Sequence, residues 1–261
     1  LGNGEEVAIS QRIKMLQYNV CTFGRYSSSK NRKAMALDFH AGKYFIGCFQ
    51  ETRGPKDRMM CANDIIMCTA AGNRNNHGCT HGCEVWISST KAFAVVGAKK
   101  VLIQREDVTI LHAEHRCITV KIVTKHVSMY VISAHAPYLG CKVASHELWW
   151  PEFAKHISDI CRVGVPCIIG IDGNVQSFFS LCEQYGEVGC IRKPAPANFT
   201  SMRKFVQDSG VRVANSFREN CSPGYVGNPY TYIDKCHEGS VKVLDYVLHN
   251  NKVTVVQESV C

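Results

Sequence analysis

The chain of 261 residues is 46% hydrophobic and 20% charged, a composition that builds a packed core and excludes a disordered or collagen-like protein. No apolar stretch reaches the roughly 18 residues of a membrane span, and the N-terminus lacks the basic-then-apolar layout of a secretory signal. A net charge of +8 suits an anionic partner such as nucleic acid, phosphoinositide or a membrane surface, although ordinary solubility uses the same charge. The 15 cysteines are odd in number and follow no regular spacing; Cys48 in YFIGCFQ and Cys167 in PCIIGI lie inside apolar runs, where a reduced thiol acts as a small hydrophobe. The expected setting is therefore intracellular, in cytoplasm or nucleus. A start at Leu1 without Met is expected of a piece of a longer chain.

In chain order, residues 12–19 (RIKMLQYN) alternate as a strand, with Ile13, Met15 and Gln17 on one face. Residues 27–40 read as a helix with Ala34, Leu37 and Asp38 at helical spacing, stopped at Gly42. The apolar run 44–50 predicts a strand covered on both faces. Further strands are predicted at 65–69, 83–87, 108–112, 117–123 and 127–134, the last two as a hairpin. Residues 145–162 give the strongest helix: Ser145 as cap, Trp149, Phe153, Ile157 and Ile160 as the inward stripe, Gly164 and Pro166 as the stop. A buried strand at 166–172, a short helix at 201–208 and strands at 230–233 and 241–248 follow. No repeat or linker interrupts the chain, so a single domain over 1–261 is expected: an α/β (α+β) sandwich of two packed sheets with helices outside.

Polar residues recur where apolar strands end. Asn19 closes LQYN, Gln50 and Glu51 close CFQE, His135 closes VISAH, Asp172 and Asn174 close IIGIDGN, and Asp245 interrupts VKVLDYVL. Each alone is most simply a turn former. Together they supply hard oxygen donors suited to Mg²⁺ and an imidazole and carboxylate suited to proton transfer. Phosphate-ester hydrolysis is the chemistry that such a set serves.

In this order the motifs resemble the endonuclease/exonuclease/phosphatase superfamily, the DNase I-like proteins, and within it the apurinic-type endonuclease domains of retrotransposons lacking long terminal repeats. LQYNV is similar to its "WN" strand, CFQET to "QE", SAHAPY to "H.P", GIDGN to "GDFN" and LDYVL to "DYV". The resemblance covers nearly the whole chain, about residues 12–248, and implies a four-layered sandwich of two mixed sheets flanked by helices. It also implies Mg²⁺, with Mn²⁺ as a substitute, held by Glu51 and Asn19. Asp172 would position the attacking water, His135 assist the leaving group, and Asn174 bind phosphate. Asp245 would orient a terminal catalytic His, and Thr231-Tyr232 would pack near the cleft, with Tyr232 touching substrate. The implied activity is DNA nicking, with a reverse transcriptase downstream in the full-length gene. The alternatives are a nucleic-acid-binding module that does not cleave and a phosphatase of inositol phosphates or lipids.

Three departures stand out. Ile171 and Gly173 flank Asp172, Gly173 standing where an aromatic is usual. Cys21 stands where some members carry a second acidic residue. The "SDH" motif is absent: the sequence ends 16 residues after Asp245 with no His after His249, which predicts a chain truncated at its C-terminus or impaired in catalysis. Outside the motifs, His77, Cys79, His81 and Cys83 are close enough to suggest zinc, but a Gly-rich loop feeding EVWIS explains them more simply. Lys30, Arg32 and Lys33 suit either phosphate or a solvated helix face, and Trp149 suits the core better than base stacking.

Overall fold

A computed structural model describes residues 13–21, 23, 28–75, 78–138, 143–175, 197–214, 232–234, 240–242 and 245–254, with backbone alone at 28, 29, 75, 78, 143, 144, 146, 197, 198, 232–234 and 240–242. In chain order the elements are β1 (Met15–Asn19), α1 (Ser28–Ala41), β2 (Ile46–Gln50), β3 (Arg58–Ala62), β4 (Ile65–Ala70), β5 (Asn73–Asn75), β6 (Gly78–Thr80), β7 (Cys83–Ser88), β8 (Ala92–Val96), β9 (Lys99–Leu102), β10 (Val108–Glu114), β11 (Cys117–Val123) and β12 (Ser128–His135). Then come α2 (Val143–Arg162), β13 (Cys167–Asp172), α3 (Ala197–Ser209), β14 (Arg212–Val213), β15 (Tyr232–Asp234), β16 (Ser240–Lys242) and β17 (Asp245–His249). The expected α/β class holds, and no described helix is long and apolar enough to cross a membrane. Contacts divide the chain into two compact units, one of residues 1–16 and 20–133, the other of 17–19 and 134–261.

The first unit is built on the strand order β1-β2-β7-β4-β3. β2, β4 and β7 are buried along their whole length, β2 as the apolar run at 44–50 predicts. One face meets β10 and β11, so two sheets pack against each other within this unit. The other face meets α1 through Phe23, Ala36, Phe39, Phe49, Ile65, Met67 and Trp86. The stripe predicted for α1 is corrected here. Ala34, Leu37 and Asp38 face solvent, Leu37 being 70% exposed, while Ala36 and Phe39 are buried. The aromatic floor decides which face turns inward: Phe39 meets Trp86 edge-on at 6.1 Å.

Arg32 is corrected with it. Its guanidinium lies over Phe23 and donates to the fully buried Glu84 at 2.6 Å, so it belongs neither to a solvated face nor to a phosphate site. Trp86 Nε1 donates to the second oxygen of Glu84 at 2.7 Å. Thr69 and Arg58 continue the same cross-strand row, since Arg58 pairs with Thr69 and Thr69 with Glu84. Burial pushes the Glu84 carboxyl above its ordinary value, and Arg32 opposes that rise.

In the second unit β17 lies antiparallel between β13 and β14. α2 and α3 pack through Trp150, Phe153 and Phe205, with ring centroids 5.0–5.7 Å apart for Phe205 against the other two. Phe153, Ile157 and Ile160 are buried as expected, but the fully buried tryptophan is Trp150; Trp149 is half-buried and stacks on Phe153. Ser145 lies two residues inside α2 rather than capping it. The predicted strand at 241–248 is two strands, β16 pairing with β15 and β17 with β13. The hairpins β5/β6 and β8/β9 and the edge strand β3 were not foreseen from the sequence.

Candidate active site

Four strand ends of the second unit bring the predicted polar residues together. Antiparallel pairing of β13 with β17 sets Asp172 directly opposite Asp245. Like charges at such a position repel, and the donors around them offset that repulsion. Gln17 and Asn19 are two apart on β1 and so share a face. Gln17 Nε2 donates to Asp245 Oδ1 at 2.9 Å, and Asn19 Nδ2 donates to Asp172 Oδ2 at 2.7 Å. The second Asp172 oxygen accepts the Asn174 backbone N–H at 3.0 Å. His135, 3% exposed, holds Nε2 at 3.8 Å from Asp172 Oδ2.

The loops that carry these groups are stitched by backbone bonds. The Ala136 N–H donates to the Asp172 carbonyl at 2.9 Å, and Asn174 Nδ2 donates to the Ala136 carbonyl at 2.9 Å. Asn174, expected to touch phosphate, thus braces the His135 loop, with a positive φ of 47° that Asn tolerates better than most residues. Gly173 lies against Tyr246: an added Cβ would come within 3.2 Å of that ring, whose hydroxyl donates to the Val175 carbonyl at 2.6 Å. The Tyr of the DYV motif therefore fills space beside the residue that stands in for the usual aromatic.

Glu51 belongs to the first unit. It has φ 54°, a strained value for Glu and one of the outliers that cluster at functional sites. Arg53 Nη2 donates to its Oε2 at 3.1 Å, with the Glu51 side chain 26% exposed. The segment is held from behind, since Thr52 N–H donates to the Gly82 carbonyl and Arg53 N–H to that of His81. A Cβ on Gly82 (φ 92°) would stand 2.9 Å from Arg53 N, so only glycine allows this approach. Gln50, which the "QE" resemblance pairs with Glu51, is fully buried and donates to Ser133 Oγ at 2.9 Å. Gln50 shares the inner face of β2 with Cys48, whose thiol donates to the Ile132 carbonyl.

Among the described residues no group of three or more His, Cys, Asp or Glu is arranged to hold a metal. Magnesium needs only one or two carboxylates, the rest of its shell being water and substrate, and the partly exposed Glu51 carboxylate fits that need. For zinc, His77 lies outside the described residues, Cys79 donates to the Gly54 carbonyl, and Arg116 donates to His81 Nε2 at 3.2 Å. Burial pushes the Cys83 thiol well up, which favours the neutral form. Tyr232 lies on β15, and its side chain, like Thr231, is outside the described residues. Sequence reasoning missed Gln17 and Arg53 as functional candidates. The i, i+2 spacing of Gln17 from Asn19 was the available signal; for Arg53 there was none.

The fold matches known structures. No family model and no curated protein matches the sequence. Solved structures do: the endonuclease domain of TRAS1, a telomere-specific non-LTR retrotransposon, at 13% identity and TM-score 0.56 over 92% of this chain and 86% of that one. AP endonuclease LMAP from Leishmania major is similar at 15% identity and TM-score 0.64, over 95% and 85%. A 3' phosphatase from Neisseria bound to a product DNA hairpin follows at 12% identity and TM-score 0.59, over 92% and 88%. The likeness defines a class of fold: the chain has the endonuclease/exonuclease/phosphatase, or DNase I-like, fold.

Proposed function

We propose that the protein is a metal-dependent phosphodiesterase that nicks DNA, of the retrotransposon endonuclease type. The observation that carries this is the opposed pair Asp172 and Asp245, each served by an amide from β1, with His135 at its side. Bound magnesium, with manganese as a substitute, would add Lewis-acid stabilisation of charge on the phosphate. By the sequence resemblance, Glu51 would supply a carboxylate to it and Asn19 an amide oxygen.

Asp172 orients the attacking water, its carboxylate fixed by Asn19 and by the Asn174 N–H. His135 serves the leaving oxygen, and the net charge of +8 favours a polyanionic backbone. The TRAS1 endonuclease domain and the DNA-bound Neisseria phosphatase support DNA as substrate. The 261 residues act as one functional domain, in nucleus or cytoplasm, with a reverse transcriptase as the partner in the full-length gene.

A second reading, nucleic-acid binding without cleavage, is favoured by the place of His249. Its Nδ1 bonds the Asn250 carbonyl at 2.9 Å on a buried strand, so it does not take the role of a terminal catalytic His. Supercoiled plasmid with Mg²⁺ separates the readings. Nicking that is lost in Glu51→Ala and Asp172→Asn, both folded by circular dichroism, supports the nuclease. Retention of plasmid with no nicking supports the binding module. Release of phosphate from a soluble inositol phosphate, with plasmid untouched, replaces both with the phosphatase.

A further inference from the structure

The strand ends of the first unit that lie away from Glu51 collect lysines. Backbone bonds define that end. Phe45 N–H donates to the Lys14 carbonyl at 2.8 Å, and Ser88 N–H donates to the Phe45 carbonyl at 2.9 Å. The residues just before β1 and β2 and just after β7 therefore lie side by side, while Glu51 follows the far end of β2. Lys14, Lys43 and Lys91 stand at these neighbouring positions, the last with its N–H bonded to Ser88 Oγ at 3.2 Å. With strands about 4.8 Å apart, they form a row along one sheet edge. Phe93 meets Phe45 edge-on at 5.3 Å and so seats the β8/β9 hairpin at this end, and β9 carries Lys99 and Lys100. In the sheet packed behind, Gly82 N–H bonds the His115 carbonyl, which puts the β10/β11 turn beside the Glu51 segment. The turn from β11 to β12, with Lys125, then falls at the lysine end.

These lysines are not neutralised within the fold. All are exposed except Lys91, which is partly so. None forms an ion pair with a described residue, whereas Arg53, Arg162 and Lys204 do. The Lys14 ammonium lies 4.8 Å from the centre of the Tyr44 ring, which orders it and leaves its charge intact. Of the acids described at this end, Asp107 accepts the Gln104 N–H at 2.8 Å and, with Glu106, flanks Arg105. Asp38 and Asp64 are then the exposed carboxylates facing the lysines.

We propose that this end of the first unit is a second nucleic-acid surface, apart from the Glu51 end, which holds the phosphate backbone of a strand without reading its bases. Like charges set in a row repel one another, and a linear polyanion lying along the edge relieves that repulsion at each step. A compact anion meets one or two of the lysines and leaves the rest. The aromatic residues here are engaged: Phe93 is buried, Phe45 packs on it, and Tyr44 lies under Lys14. Phosphate is therefore the group contacted, and contacts of that kind position a strand without specifying its sequence. The surface goes beyond the catalytic reading above and does not rest on it.

The test is fluorescence anisotropy of a short labelled oligothymidylate across a KCl series, in EDTA so that no cleavage occurs. On a single strand each phosphate contact adds about 0.7 to the slope of log affinity against log salt, which is roughly fivefold in affinity at about 0.1 M salt. Lys14→Gln/Lys43→Gln/Lys91→Gln should weaken binding at least about tenfold and lower the slope by about 1–2. Lys99→Gln/Lys100→Gln should act in the same direction, and Lys155→Gln/Lys204→Gln, on α2 and α3, should leave affinity and slope unchanged. If the triple variant melts early, the hairpin variant decides alone. The proposal is overturned if the parent does not bind, if both lysine variants bind as the parent does, or if the α2/α3 variant loses as much. Capture of the parent by phosphatidylserine vesicles without binding of oligonucleotide would assign the face to a membrane and overturn it too. Plasmid nicking is read separately: weakened binding in the variants with no nicking by the parent keeps this surface and removes the catalytic reading, and the reverse pattern does the opposite.

Discussion

Removing the Arg32 guanidinium should strand a buried charge. In Arg32→Leu the Glu84 carboxylate, fully buried, loses the 2.6 Å ion pair and retains the Trp86 N–H at 2.7 Å. Two unit charges about 4 Å apart at an effective dielectric near 20 attract by roughly 4 kcal/mol, and breaking a buried pair from one side costs about 3–5 kcal/mol. A loss of that size is expected in urea denaturation at pH 7. Its pH dependence has a definite sign. The folded carboxyl is raised above its ordinary value, so the cost of holding it charged is absent at low pH and appears as pH rises through the folded value. Deleting Arg32 raises it further, so the deficit against the parent protein should shrink as pH falls toward 5. The double variant Arg32→Leu/Glu84→Gln removes both charges and should recover more than half of the loss. A single variant within about 1 kcal/mol of the parent, the size of an exposed ion pair, would refute the reasoning, as would strictly additive effects in the double variant.

The remaining predictions concern the segments that hold the site. Gly82→Ala forces a Cβ to 2.9 Å from Arg53 N at φ 92°; it should cost at least about 1–3 kcal/mol and reduce nicking through Glu51. Parallel melting and nicking assays would check both effects. His249 is held below its ordinary value first by burial and further by Arg212 opposite. Its neutral form is therefore favoured in the fold, with no effect on stability above about pH 6.5 and a loss as pH falls toward the lowered value, about 1.4 kcal/mol for each tenfold weakening of proton affinity. His249→Gln should flatten that acid limb in a pH series of denaturation curves. Gln17→Leu removes the 2.9 Å bond to Asp245 and should cost about 1.5–3 kcal/mol, the range for a hydrogen bond to a charged group, with a matching fall in nicking.

Strand positions were legible because their signal is local. The apolar runs at 44–50 and 166–172 became β2 and β13, both almost wholly buried. The polar residues that close them could be read from the sequence because a strand end fixes where a side chain leaves the sheet. What sequence could not give was which groups pair across the fold. Arg32 reads as one of three surface cations until the buried Glu84 supplies a reason for it to turn inward. Trp149 and Trp150 are adjacent on a helix, and a difference of about 100° in facing decides which one packs on Phe205. Gln50 and Glu51 are also adjacent, and strand alternation sends the first into the core. The β3 edge strand and the β8/β9 hairpin escaped because half-buried short strands lack a clean apolar pattern.

The opposed carboxylates have no evident role in stability. Two aspartates facing each other across β13 and β17 repel, and the fold surrounds them with polar neighbours instead of replacing them: two amides from β1, a backbone N–H from the Asn174 turn, and an imidazole at 3.8 Å. A sheet seeking only stability would place one apolar pair at these positions, and neither Gln17 nor Asn19 would then need to project amides toward them. Glu51 repeats the pattern in the first unit, where a residue unsuited to positive φ is kept there by a glycine that admits no side chain. Local costs concentrated at the ends of strands, each offset by a specific neighbour, are what a site organised for charge development requires.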